Sequence, residues 1–112
     1  MKQADAVDAL SALAHEGRLA VFRLLVKAGP EGLAAGLIAR RQGVPPNSLS
    51  ANLNILSAAG LIEARREGRS IIYQANYRRM GALLGFLVED CCGGKPEICA
   101  PLSAITKRAT CC

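Results

Sequence analysis

Leu33-Ala34-Ala35-Gly36-Leu37-Ile38-Ala39-Arg40-Arg41-Gln42-Gly43-Val44-Pro45-Pro46-Asn47-Ser48-Leu49-Ser50-Ala51-Asn52-Leu53-Asn54-Ile55-Leu56 reads as two short helices around a glycine turn. Residues 33–41 form the first helix, with Leu37 and Ile38 inward, and Gly43 supplies the turn. The second runs from about 46 to 59, with Leu49, Leu53 and Leu56 at i, i+4 and i+7. Pro46 suits its first turn, where a missing N–H costs nothing. The core stripe is narrow. Asn47, Ser48, Ser50, Ala51 and Asn54 occupy the opposite side and flanks, where an ordinary solvent face would carry Glu and Lys. Two short helices with a polar outer face on the second are the sequence form of a helix-turn-helix. Asn and Ser are able to hydrogen-bond base edges in a major groove.

Downstream, residues 61–66 and 70–74 read as two strands, with β-favouring Ile71, Ile72 and Tyr73 and a turn at Glu67-Gly68. Arg65, Arg66 and Arg69 crowd the tip of that hairpin, where they are placed to meet a phosphate backbone or a minor groove. Helix-turn-helix plus hairpin describes a winged helix. Upstream, Val7, Leu10 and Leu13, with Ala6, Ala9 and Ala14 beside them, give a short helix with one apolar stripe. Leu19, Phe22, Leu25 and Val26 give a second, closed by Gly29-Pro30. A last helix, about 77–90, carries Met80, Leu83, Leu84, Leu87 and Val88 at helical spacing and leads directly to Cys91. The expected fold is mainly α: about five helices plus a two-stranded β-hairpin wing. Residues 1–90 form the DNA-binding and dimerisation domain, and 91–112 a cysteine-containing loop and tail.

Charge supports that placement. Between Arg40 and Arg79 stand seven Arg and no Lys against Glu63 and Glu67, so this span holds the whole net charge of +5 and would be the part to meet a polyanion. At 112 residues one compact domain is expected, small enough that a second copy would add useful buried surface. No apolar run is long enough to cross a bilayer. Asp5 and Asp8 stand where a signal peptide needs an apolar stretch, so a reducing cytoplasm is the expected compartment.

Cysteine is confined to the far end. None of the five lies in the first 90 residues, which rules out a disulfide framework for the fold. Adjacent Cys91 and Cys92 do not easily bridge each other, because consecutive Cα atoms lie about 3.8 Å apart and disulfides usually span about 4.4 to 6.8 Å. With Cys99 beyond a Gly93-Gly94 pair, they read as a soft-ion ligand set of three thiolates. Structural zinc normally takes four ligands, whereas As(III) or Sb(III) is satisfied by three sulfurs. Cys111 and Cys112 have no assigned role.

The chain resembles the ArsR/SmtB family of small dimeric winged-helix repressors. The resemblance covers most of residues 4–99. It is carried by Ala12-Leu13-Ala14-His15-Glu16-Gly17-Arg18-Leu19, by Ser48-Leu49-Ser50-Ala51-Asn52-Leu53, by Ala59-Gly60-Leu61-Ile62 and by Arg65-Arg66-Glu67-Gly68-Arg69. It implies a homodimer joined through the first and last helices, bound to a pseudo-palindromic double-stranded operator and released by an inducer. Asn52, in the recognition helix, joins the expected DNA-facing set and departs from the histidine common at its position. The family's arsenic site on the first helix of the motif has no counterpart in Leu33-Ala34-Ala35. Its zinc sites on the last helix need histidines, and the only histidine here is His15, near a helix start. The segment from Cys91 to Cys99 is similar to the C-terminal trithiolate As(III) site of one arsenic-responsive branch. The expected function is therefore an arsenite- or antimonite-responsive repressor with no organic cofactor. Two alternatives stand beside it: a thiol redox or persulfide sensor of the same fold, with Cys92 and Cys99 forming a reversible disulfide, and a small cysteine-rich metal carrier. An enzyme is not expected, since no phosphate loop, CxxC or His-anchored nucleophile is present.

Overall fold

The computed structural model describes residues 1–88. The elements run α1 (Gln3–Leu13), α2 (Glu16–Ala28), β1 (Leu33–Ala34), α3 (Ala35–Gln42), α4 (Pro46–Ala58), β2 (Ile62–Glu67), β3 (Ser70–Ala75) and α5 (Tyr77–Val88). The strands form one antiparallel sheet in the order β1-β3-β2. This is a winged helix-turn-helix.

One apolar core joins the elements: Val21, Phe22 and Leu25 of α2, Ile38 of α3, Leu49, Leu53 and Leu56 of α4, then Leu61, Ile62, Ala75 and Leu83. The leucine triplet expected to anchor the recognition helix is fully inward. Gly43 closes α3 in the left-handed region at φ +64 and donates its N–H to the Ala39 carbonyl, so the chain turns sharply into Pro45-Pro46. Pro46 then starts α4.

Three local expectations change. Residues 33–34 are a strand, not the first turn of a helix. Leu33 pairs with Tyr73 and Ala34 with Ile72, which makes the wing sheet three-stranded. The cause is Gly32, at φ +70, which brings the chain so close to the Tyr73 carbonyl that β1 runs along β3 before α3 begins. The first hairpin strand also ends one residue further on, at Glu67, while the second begins at Ser70 as expected. Glu67 faces Ser70, so the two-residue loop is Gly68-Arg69, with Gly68 at φ +60. In α1 the buried face is Ala6, Ala9 and Ala12, small residues that let the helix lie close against α2, α4 and α5. Val7 (52 % exposed) and Leu10 of the expected stripe point outward.

The last helix divides in the same way. Leu83 is buried and Met80 and Phe86 pack on the core, while Leu84 (54 % exposed), Leu87 and Val88 face outward. Its start is pinned at two places. Asn76 accepts from the Arg79 N–H and donates through Nδ2 to the Gly60 carbonyl at 3.1 Å, and the Tyr77 hydroxyl donates to the Val26 carbonyl at 3.0 Å. The end of the recognition helix and the start of α5 are thus joined by one side chain. The boundary expected at residue 90 lies outside the described residues, as do Cys91, Cys92, Cys99, Cys111 and Cys112.

Candidate nucleic-acid interface

Because Leu49, Leu53 and Leu56 hold α4 to the core, the helical period sends Asn47, Ser48, Ser50, Ala51 and Asn54 outward, and all five are exposed. No carboxylate shares that face. A helix offering short amides, hydroxyls and a methyl is suited to base edges, with Asn as a paired donor and acceptor and the Ala methyl able to contact a thymine methyl.

Asn52, expected in the same set, lies on a different flank of the helix. It is half-buried on the flank toward α2, and a Cβ placed on Gly17 would come within 3.2 Å of its Nδ2. Gly17 therefore allows α4 to approach the start of α2 closely. At that same point His15 caps α2. Its Nδ1 accepts from the Gly17 N–H at 3.1 Å and the Arg18 N–H at 3.3 Å, satisfying two of the amides that a helix start leaves unpaired. Arg18 in turn donates through Nε to the Ala12 carbonyl at 2.6 Å, tying off the end of α1. His15 is thus a helix cap. Among the described residues no group of three His, Cys, Asp or Glu side chains is arranged to hold a metal ion.

The three wing arginines separate into two kinds. Arg66 and Arg69 are exposed and make no hydrogen bond or ion pair among the described residues, so their charge is available to a polyanion. Arg65 is half-buried and occupied. Its Nε donates to Glu67 Oε1 at 3.0 Å, and Nη1 donates to Gln74 Oε1 at 2.8 Å and to the Pro30 carbonyl at 3.2 Å. Nη2 donates to the Glu31 carbonyl. Gln74 continues the chain by donating to Glu63 Oε2 at 3.2 Å. Strand alternation puts the adjacent Arg65 and Arg66 on opposite faces, and Arg69 lies in the loop, but which of the two faces meets the rest of the domain is set by tertiary neighbours and not by spacing.

Arg40 and Arg41, counted within the basic span but not among the expected contacts, are exposed on the last turn of α3 beside the turn into α4. Cations there also complement the negative end of the helix dipole. Their signal in the sequence was charge alone.

A family profile described as a helix-turn-helix domain matches residues 13–65. Nodulation protein NolR of Rhizobium meliloti is 35% identical over 78 residues, which cover 70% of this chain and 62% of NolR. The chain thus spans less than two thirds of that relative's length. The homodimeric winged helix-turn-helix DNA-binding domain of a possible ArsR-family regulator from Mycobacterium bovis superposes with a TM-score of 0.61 at 32% identity, covering 77% of this chain and 80% of that one. An ArsR-like transcriptional regulator from Rhodococcus sp. RHA1 gives 0.69 at 27% identity, over 95% and 93% of the two chains. The Mycobacterium bovis relative is a DNA-binding domain and the Rhodococcus relative a transcriptional regulator, neither an enzyme, and no helix among the described residues is long and apolar enough to cross a membrane. With a polar recognition helix, an arginine-bearing wing and these likenesses together, the chain belongs to the ArsR family of winged helix-turn-helix DNA-binding transcriptional regulators.

Proposed function

We propose that this chain is a cytoplasmic repressor that binds a double-stranded operator as a homodimer and leaves it when As(III) or Sb(III) is taken by Cys91, Cys92 and Cys99. The observation that carries the reading is the position of the three-thiol segment in the chain. It begins three residues after Val88, the last described residue of a helix whose outer face is apolar. Leu84, Leu87 and Val88 on α5, with Val7 and Leu10 on α1, offer a surface that a second copy of the chain would cover. An ion that gathers three sulfurs just beyond this helix would change how the two copies meet. The two recognition helices would then lose the half-site spacing that a palindromic operator requires.

The donor set supports the choice of ion. Three thiolates without histidine match a trigonal, thiophilic ion and leave a tetrahedral zinc site one ligand short. The likeness to the Mycobacterium bovis winged helix-turn-helix domain supports DNA binding and carries no information on the inducer.

The test is release of a labelled operator by arsenite from wild type and from Cys91→Ser, Cys92→Ser and Cys99→Ser. Each variant is expected to bind operator as wild type does and to stay bound when arsenite is added. Release retained in all three would overturn the proposal. Release by peroxide with a Cys92–Cys99 disulfide, and none by arsenite, would assign the switch to thiol redox chemistry.

A further inference from the structure

The geometry points to Arg65 as a strap that sets the angle of the wing: a positioning residue for DNA binding and not itself a phosphate contact. This rests on the DNA-binding reading and is independent of the inducer. Arg65 sits on β2, the edge strand farthest from β1. It pairs with Ile72 on β3, and Ile72 pairs with Ala34 on β1. Its side chain crosses β3 to reach the carbonyls of Pro30 and Glu31 in the turn that leads into β1. These two residues are the centre of a β-turn closed by the Gly32 N–H on the Gly29 carbonyl at 3.1 Å. Pro30 and the closing bond hold both carbonyls in place, so the guanidinium docks on a rigid part of the body.

A guanidinium has five N–H bonds in a fixed fork. Four are used here, on Glu67, Gln74, Pro30 and Glu31. A phosphate would have to displace several of them, whereas Arg66 and Arg69 have none to give up among the described residues. The strap also has something to hold. At its base the hairpin is anchored by buried Ile62 and Ala75, but its outer half, from Arg66 to Ile71, is exposed throughout. Beyond the two-residue pairing of β1, Arg65 is the side chain that ties the middle of the hairpin to the turn before β1. It also neutralises Glu67, which would otherwise set a bare carboxylate next to the phosphates.

The test uses the full chain and the duplex that wild type enriches from a random-sequence pool, with affinity read by fluorescence anisotropy. Arg65→Lys and Arg65→Gln are each expected to weaken binding by about tenfold, since a lysine keeps the charge but lacks the fork. In an Arg66→Gln/Arg69→Gln background, Arg65→Gln should cost almost nothing more, because the wing it positions no longer has contacts to place. Gln74→Leu should act in the same direction without altering any charge, and covers the case in which the Arg65 variants fail to fold. Wild-type affinity in Arg65→Lys, or a full additive loss in the Arg66→Gln/Arg69→Gln background, would make Arg65 a direct phosphate contact and overturn the strap. Unchanged affinity in all Arg65 and Gln74 variants would overturn it equally. If wild type enriches no duplex at all, the DNA-binding reading fails and the strap fails with it.

Discussion

Gly32→Ala is expected to be among the most damaging single-methyl changes in this fold. A Cβ at position 32 would lie 2.4 Å from the Tyr73 carbonyl oxygen and 2.9 Å from Ile72 Cγ2, and the residue sits at φ +70. The left-handed backbone alone costs a residue with a Cβ about 1–2 kcal/mol. Relieving the contact requires moving the β3 backbone or peeling β1 from it, an overpacking cost of about 1–3 kcal/mol. Together these give about 2–5 kcal/mol, a large part of the roughly 5–15 kcal/mol that holds a domain folded. Gly43→Ala is the control, because φ is +64 there and nothing lies within 4 Å of the added Cβ. It should carry only the backbone cost, about 1–2 kcal/mol. Urea unfolding followed by far-ultraviolet circular dichroism, at one fixed protein concentration to hold any association constant, measures both. The difference between the variants isolates the contact with Tyr73. Equal losses in the two would refute the argument that β1 is drawn to β3 through a glycine.

His15→Ala removes the acceptor for the Gly17 and Arg18 amides and should destabilise by about 1 kcal/mol, whereas His15→Asn, a good cap, should recover most of the loss in a thermal melt. Leu84→Asp places a charge on an outward position of α5 and should leave a folded monomer by analytical ultracentrifugation. Since one recognition helix then reads only one half-site, operator affinity should fall with it, and an unchanged dimer would move the pairing surface elsewhere.

The recognition helix was legible because its leucines repeat at i, i+4 and i+7 and its other positions avoid charge; in the fold those leucines are buried and Asn47, Ser48, Ser50, Ala51 and Asn54 are exposed. What stayed hidden depends on tertiary neighbours. In α1 the period picks out both Val7-Leu10 and Ala6-Ala9-Ala12, and hydrophobicity alone favours the larger residues. The small ones face inward because a close approach to α2, α4 and α5 leaves room for nothing bigger. Leu33-Ala34 is too short for a strand pattern and becomes one only because Gly32 places it beside β3. Asn52 has the same chemistry as Asn54, yet its flank of the helix meets Gly17. Arg65 has the same charge as Arg66, yet the carbonyls that bind it lie more than thirty residues away in the chain. The proposed ligand set of Cys91, Cys92 and Cys99 is a sequence reading throughout, since these residues lie outside the described ones.

The proposed switch is tested most directly by measuring arsenite affinity twice, once on the free protein and once on the protein saturated with operator. Linkage requires the two ligands to weaken each other by the same factor, and a coupling of about 1–3 kcal/mol is typical. The account predicts that operator lowers arsenite affinity by the factor with which arsenite lowers operator affinity, about 5- to 150-fold. Equal arsenite affinity on and off the DNA would contradict it.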